Sequence, residues 1–494
     1  MARYAAEIAL AEMSLDERSS LPLYRQLYER IRQGILDGRL RNGTRLPASR
    51  MFAEQLNVSR NTVTLAFEQL MLEGYLKGKV GSGTYISDDV PEKLLKASIG
   101  PARSARSAAK LPRPSSRAQA FSKVFSLYNK QLENVRPFQI DIPALDAFPH
   151  DVWIKLTNQA WRSLPRLSLE YGDPAGYKPL REAIASYLRA HRAARCEPEQ
   201  IIITDSSQQS VDLVSRVLLD AGDSVWMEDP GCVETQAVFR NAGLHTTPVP
   251  IDAEGLRVEV GKRIDPKARL VYITPSCQYP LCTTMSLARR LQLLEWVRQS
   301  KAWIIEDDYD SEFRFVGHPL ASLQGLDVDD RVIYLGMLSR ILFPSLRLAY
   351  LVVPRHLTEL FAVAKVVVSR QSATLEQVVL ARFIEDGHFG RHIRRVRVLC
   401  QERHEALLDA AKRELGGLLK LEPSQCGMHM VARLPNNVDD RRACEKAAQL
   451  GVVTHPLSEY CMGNQITRGL LLGFAAFTET DIKKGITRLA KALR

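Results

Sequence analysis

Apolar residues recur at every fourth position at Leu23, Leu27, Ile31 and Ile35, the stripe of an amphipathic helix that Gly38 ends. A turn at Gly43-Thr44-Arg45-Leu46-Pro47 follows, and Ala48 to Leu56 predicts a second helix. Val58-Ser59 caps a third, from Arg60 to about Glu73, with Val63, Phe67 and Leu70 facing inward. Beyond Gly74 the period shortens. Tyr75 to Lys79 and Gly81 to Ile86 are short alternating runs separated by glycines, which predicts a β-hairpin. Pro91 to Ala120 carries no periodic apolar face. From Arg136 onward the runs Ile201 to Thr204, Ser224 to Met227, Leu270 to Thr274, Ala302 to Ile305 and Val332 to Leu335 read as buried strands. Helical stretches such as Ser286 to Gln299 alternate with them. That alternation predicts an α/β architecture with a largely parallel sheet, whose ligands sit beyond the carboxyl ends of the strands.

At 494 residues the chain exceeds one ordinary domain of roughly 100–200 residues. The pattern divides it into an N-terminal extension (1–20), a three-helix and hairpin unit (21–88), a linker (89–135) and a large domain (136–494). A composition of 45% hydrophobic and 25% charged residues excludes a mainly disordered or fibrous protein. The longest apolar stretch, Gly469 to Phe477, is less than half of the ~20 residues of a membrane span. Glu7 and Glu12 stand where a signal peptide would be basic and then apolar, so a cytoplasmic chain with no membrane partner is expected. Eight cysteines, among them Cys232, Cys277 and Cys282, form no C-x-x-C pair, which predicts reduced thiols and neither a disulfide scaffold nor a zinc ribbon.

The net charge of +11 is unevenly spread. Residues 1–90 carry +1, residues 91–120 carry +6 and the rest +4. The linker is therefore basic and reads as flexible and extended. Such a segment either adds sequence-blind phosphate contacts or serves only for solubility.

Two short helices joined by a tight turn resemble a helix-turn-helix, a motif whose second helix places its N-terminal side chains, here Arg60, Asn61 and Thr62, at base edges and phosphates in the major groove. The hairpin would form a wing, with Gly81 and Gly83 admitting a phosphate close to the backbone and Lys77 and Lys79 supplying charge. The co-linear runs L-P-A-S-R, L-N-V-S-R-N-T-V, L-E-G-Y-L and G-S-G-T-Y closely resemble the winged helix-turn-helix of the GntR family of bacterial repressors, over about Leu21 to Ile86. The resemblance implies DNA contacts at Arg50, Ser59, Arg60, Asn61, Thr62 and Gly83, and double-stranded operator DNA as partner.

The large domain carries strand-end signatures in order: Tyr171-Gly-Asp-Pro-Ala-Gly176, Thr204-Asp-Ser-Ser-Gln-Gln209, Glu228-Asp-Pro-Gly231, Thr274 to Pro280, Glu306-Asp-Asp-Tyr-Asp310 and Ser339 to Arg347. Together these resemble a fold-type I aminotransferase domain with a smaller C-terminal α+β subdomain, and specifically the MocR subgroup of GntR regulators. The resemblance implies a homodimer and a domain that binds pyridoxal phosphate as a sensor. A pyridoxal site needs a lysine amine, a carboxylate for the ring nitrogen and a cup of hydroxyls, amides and an arginine for the phosphate. Asp307 fits the carboxylate, Tyr309 the phenol, and Ser207, Gln208, Ser339 and Arg347 the phosphate cup.

Where the subgroup reads G-T-F-S-K, this chain reads Gly336-Met-Leu-Ser-Arg340. A guanidinium with pKa above ~12 is no Schiff-base nucleophile, so no covalent cofactor and no enzyme activity are expected. Met337, Cys232, Cys282, Ser206 and Glu459 are further departures at positions that should face a cofactor. Two outcomes stay open: noncovalent binding of pyridoxal phosphate or another anionic effector, with Arg340 and Arg347 as paired cations, or a domain that only dimerises. The rival reading is an active aminotransferase fused to a DNA-binding module. Cys232, Cys277 and Cys282 are expected to converge on the same pocket, which invites a thiol or metal sensor, although no histidine lies at ligand spacing from them. The basic run Arg391 to Arg397 reads as a solvated or interface helix face rather than a nucleic-acid patch.

Overall fold

The computed structural model describes residues 15–16, 19, 21–79, 83–88, 115, 118, 135–163, 170–317, 320–435, 437–464 and 466–494. The chain forms two compact units divided between Arg113 and Pro114. The expected basic linker lies outside the described residues apart from 115, 118 and 135, the N-terminal extension apart from 15, 16 and 19, and Gly81 entirely.

In the first unit, α1 (Leu23–Leu36), α2 (Ser49–Leu56) and α3 (Arg60–Leu72) precede a hairpin of β1 (Leu76–Lys79) and β2 (Gly83–Ile86). Leu27, Ile31 and Ile35 of α1 pack with Phe52 of α2 and with Val63, Phe67 and Leu70 of α3, all buried. Leu76 and Ile86 face each other across the antiparallel hairpin and close this core from below. Asn57 ends α2 in the left-handed conformation at φ 51°, which turns the chain sharply into the next helix. The Ser59 hydroxyl then accepts the Thr62 amide at 3.1 Å and starts α3.

The second unit is built on an eight-stranded sheet of β3 (Ile201–Thr204), β4 (Ser224–Asp229), β5 (His245–Asp252), β6 (Gly255–Leu256), β7 (Leu270–Ile273), β8 (Trp303–Asp308), β9 (Val332–Gly336) and β10 (Ala349–Val352). The spatial order is β3-β10-β9-β8-β7-β4-β5-β6. From β9 through β5 every pair is parallel. Only β10 runs against both of its neighbours, so β3 recovers the direction of β9. The carboxyl ends of β3, β4, β7, β8 and β9 therefore open onto one edge, where α/β sheets bind ligands. Each apolar run read as a buried strand is one. The pattern missed β5, whose Pro248 and Pro250 depart from a strand-like sequence. They are tolerated because the two-residue β6 is its only outer neighbour.

A second, antiparallel sheet of β11 (Lys420–Glu422), β12 (His429–Arg433), β13 (His455–Pro456) and β14 (Gly469–Gly473), in the order β11-β12-β14-β13, forms the smaller α+β part. The long helix His388–Glu414 packs against the final helix Glu479–Leu493 and carries Arg391 to Arg397. It buries His392, Ile393 and Val396, and Arg397 Nε donates to the Glu312 carbonyl, so this basic run is partly an internal face. Among the described residues no helix is long and apolar enough to cross a membrane.

Candidate functional site

In the first unit most of the residues expected to meet nucleic acid lie around the start of α3. Ser59, Arg60 and Asn61 are exposed and Thr62 is half-buried. Arg50 reaches the same place from α2: Arg50 and Arg60 line one shallow surface depression together with Glu54 and Asn57. Arg50 is held only loosely, 3.6 Å from Glu54 with 82% of its side chain exposed, and so is available to a phosphate. Gly83 adopts φ 110°, which favours glycine, and a Cβ there would stand 2.9 Å from Arg45 Nε. Arg45, which the sequence reading passed over, pairs its backbone with Tyr85 and sets a guanidinium beside the hairpin. Lys77, expected to supply charge at the hairpin, is ion-paired to Asp88.

In the second unit the strand ends surround a cavity of about 260 Å³. Ser206 caps α4 (Ser207–Leu218), accepting the Gln209 amide at 3.1 Å. The amides of Ser207 and Gln208 stand in the first turn, where a helix offers them no internal partner and its dipole favours an anion. Arg347 lines the same cavity, and its guanidinium has no hydrogen-bond or ion-pair partner among the described residues. Ser339 also lines it, but its hydroxyl is tied to both the amide and the carbonyl of Leu348, at 2.6 and 3.0 Å.

Asp307, at the end of β8, accepts the Tyr272 hydroxyl on Oδ2 at 2.5 Å, while its Oδ1 is buried without a partner among the described residues. Burial pushes its carboxyl up to about 7, against the pull of the Tyr272 hydrogen bond. The Tyr309 hydroxyl is likewise buried and unpartnered among the described residues.

Arg340 lines the same cavity. Its Nε and Nη2 lie 2.6 and 3.2 Å from the two carboxylate oxygens of Asp310, and its Nη1 lies 2.7 Å from Asp141 Oδ1. The guanidinium carbon sits 4.8 Å from the centre of the Tyr309 ring. Asp141 takes a positive φ of 67° and also accepts the Tyr279 hydroxyl at 3.3 Å. Burial opposes its charge, but Arg340 outweighs burial and holds the carboxyl below its usual range. The expected pairing of Arg340 with Arg347 as two free cations therefore gives way. Two carboxylates already neutralise Arg340, and among the described residues the Arg347 guanidinium is the one cavity-lining cation without a partner.

Two family models match the chain: bacterial regulatory proteins of the gntR family over residues 23–86, and aminotransferase class I and II over residues 141–489. A Rhizobium meliloti protein described as a "Probable rhizopine catabolism regulatory protein MocR" is 37% identical over 478 residues, which cover 97% of this chain and 95% of that one. The chain belongs to the MocR-type GntR regulators. A second relative, the uncharacterized HTH-type transcriptional regulator YhdI of Bacillus subtilis (strain 168), is 35% identical over 482 residues, 97% of both chains. The kynurenine aminotransferase of Pyrococcus horikoshii superposes with a TM-score of 0.69 at 26% identity, covering 80% of this chain and 98% of that one. These two relatives of this MocR-type chain are named as regulatory proteins, whereas the solved aminotransferase covers a smaller share of it.

Several expectations for this MocR-type site change with the geometry. Met337, Cys232 and Ser206 line the cavity beside Arg340, but Cys277, Cys282 and Glu459 do not. Cys277 and Cys282 gather with Cys426 in a separate buried cluster, with His429 Nε2 3.5 Å from Cys282 Sγ. The hydrogen bond with Cys282 and burial raise Cys277 against the pull of Cys426, and the hydrogen bond with Cys277 and burial raise Cys426, both well above the usual thiol value, so neither supplies a reactive thiolate. Among the described residues no group of His, Cys, Asp or Glu is arranged to hold a metal ion. Glu459 sits in the short turn Leu457–Tyr460, 3.9 Å from Arg441. Conversely, Asp141, Glu234 and Tyr272 line the cavity unforeseen. Tyr272 lay inside an apolar run whose alternation and strand-end position would have placed it there.

Proposed function

We propose that this chain reads a specific operator with the N-terminus of α3 and the β1–β2 hairpin, and that its large unit senses a small ligand without covalent chemistry. The ion pairing of Arg340 with Asp310 and Asp141 is the observation that carries this reading. Arg340 stands where the subgroup places its Schiff-base lysine, and among the described residues no lysine lines the cavity. The residues present suit pyridoxal phosphate as a noncovalent guest. Asp307 Oδ1 and the Tyr309 hydroxyl, both lacking partners, would hold the ring, and Arg347 with the first amides of α4 would hold the phosphate. When bound, that group supplies an electron-withdrawing ring and an aldehyde open to an amine. Arg340 is no such amine, being protonated and flanked by two acids, so the site binds and orients but does not transaminate. A ligand changes operator affinity only as far as it binds the DNA-competent and incompetent arrangements unequally.

The test combines operator gel shifts with and without pyridoxal phosphate, mass spectrometry after borohydride treatment, and assays for keto-acid formation. An unmodified protein mass, no turnover and sequence-specific DNA binding are the expected results. A borohydride-stable adduct or turnover of any amino acid would favour the fused aminotransferase instead.

A second copy of the chain is the natural partner of the large unit. The helix Thr358–Ser369 presents Val363 and Val367 at 55% and 82% exposure, an apolar face suited to pairing. Light scattering should give a dimer mass, and V367E should shift it toward the monomer.

A further inference from the structure

The cavity holds more unmatched acid than base. Arg340 is fully engaged by Asp310 and Asp141, which leaves Arg347 as the single cavity-lining cation without a partner among the described residues. Against it stand Asp205, Glu234 and Asp307, none of which is ion-paired among the described residues. Asp205 accepts the Gln209 side-chain amide at 3.0 Å and acts on the nearby Lys365 ammonium, and Glu234 accepts the Cys232 thiol at 3.4 Å and its own backbone amide. Burial raises the Glu234 carboxyl, and Asp141 nearby adds to the effect. A wholly anionic guest would satisfy Arg347 and the first turn of α4 but would leave these acids unmatched. The unpartnered, buried Asp307 Oδ1 and Tyr309 hydroxyl show that this is a site built for a polar guest rather than an acidic patch on the surface.

We propose that the cavity selects a ligand bearing both a phosphate and a protonated amine, with the amine held by Glu234 beside the neutralised Arg340. This rests on the noncovalent reading above and specifies its ligand class: amine-bearing phosphate monoesters over the corresponding aldehydes or alcohols. An aldehyde gives Glu234 no proton to accept and meets no amine at position 340. A primary ammonium gives Glu234 a charged hydrogen-bond donor.

Isothermal titration of the full chain with pyridoxamine 5′-phosphate, pyridoxal 5′-phosphate, pyridoxine 5′-phosphate and inorganic phosphate tests the inference. The expected result is at least tenfold tighter binding of the amine than of the other three. E234Q, which keeps the shape and removes the charge, should bring that preference below threefold while the affinity for inorganic phosphate stays unchanged. Equal binding of amine and aldehyde, or a preference that survives E234Q, overturns the inference and leaves noncovalent sensing standing. A borohydride-stable adduct with the aldehyde overturns both. Failure of all four probes to bind overturns the inference and ligand sensing together, while operator binding by the first unit is read separately.

Discussion

Arg340 and Asp310 meet in a two-pronged ion pair, with Nε and Nη2 of the guanidinium 2.6 and 3.2 Å from the two oxygens of a fully buried carboxylate. Burying both charges costs solvation that only their partnership offsets, so removing one side leaves the other stranded. D310A should lower the unfolding free energy of the large unit by about 3 kcal/mol, read by urea unfolding with a probe in that unit. A loss below about 1 kcal/mol would show that Asp141 alone suffices to hold Arg340.

Arg60 and Arg50 share one surface depression but should behave differently on DNA. If Arg60 reads a base edge, R60A costs about 1–3 kcal/mol of operator binding and relaxes specificity at one position. R50A should instead weaken binding to all sequences alike and reduce the salt slope by about 1. Fluorescence anisotropy across a salt series and a panel of operator variants separates the two. Identical profiles for both variants would remove the distinction.

Gly83 combines a positive φ with a side-chain neighbour too close for a Cβ. G83A must displace Arg45 and strain the hairpin, so it should destabilise the first unit by about 1–2 kcal/mol and weaken operator binding. Thermal melting of G83A that matches the parent chain would contradict this geometry.

Asp307 gives the large unit a pH dependence. Its folded carboxyl titrates near 7 and its unfolded counterpart near 4, so between those values unfolding releases a proton. The stability associated with this group is complete below about pH 4 and is lost as pH rises through about 7. D307N lacks that loss, so its melting temperature relative to the parent should climb from pH 5 to pH 8. A constant difference across that range would place the Asp307 pKa back in the ordinary range.

Most of the architecture was legible because it rests on periodicity. Val63, Phe67 and Leu70 announced the buried face of α3, and Ile201 to Thr204 and Val332 to Leu335 announced strands buried on both faces, the first at the edge of the sheet and the second inside it. The occupants of the cavity were only half legible, for a physical reason. Asp307 and Arg347 follow from strand-end motifs, but whether a charge is free depends on partners far away in sequence. Arg340 meets Asp141 across 199 positions, and no local pattern encodes that meeting. The same blindness placed Cys277 and Cys282 in the cavity. They do lie on a loop that approaches it, yet Cys426 arrives from the C-terminal part and draws their side chains into a separate packing site.

The backbone of Asp141, at φ 67°, occupies a conformation in which a side chain usually brings only strain, and here the side chain is justified by the guanidinium it meets. Positions 141 and 340 are joined in this chain by one ion pair, so a change at either is expected to select a change at the other. Across related regulators they should covary, with glycine or another small uncharged residue at 141 wherever 340 is lysine, and an acid at 141 tracking arginine at 340.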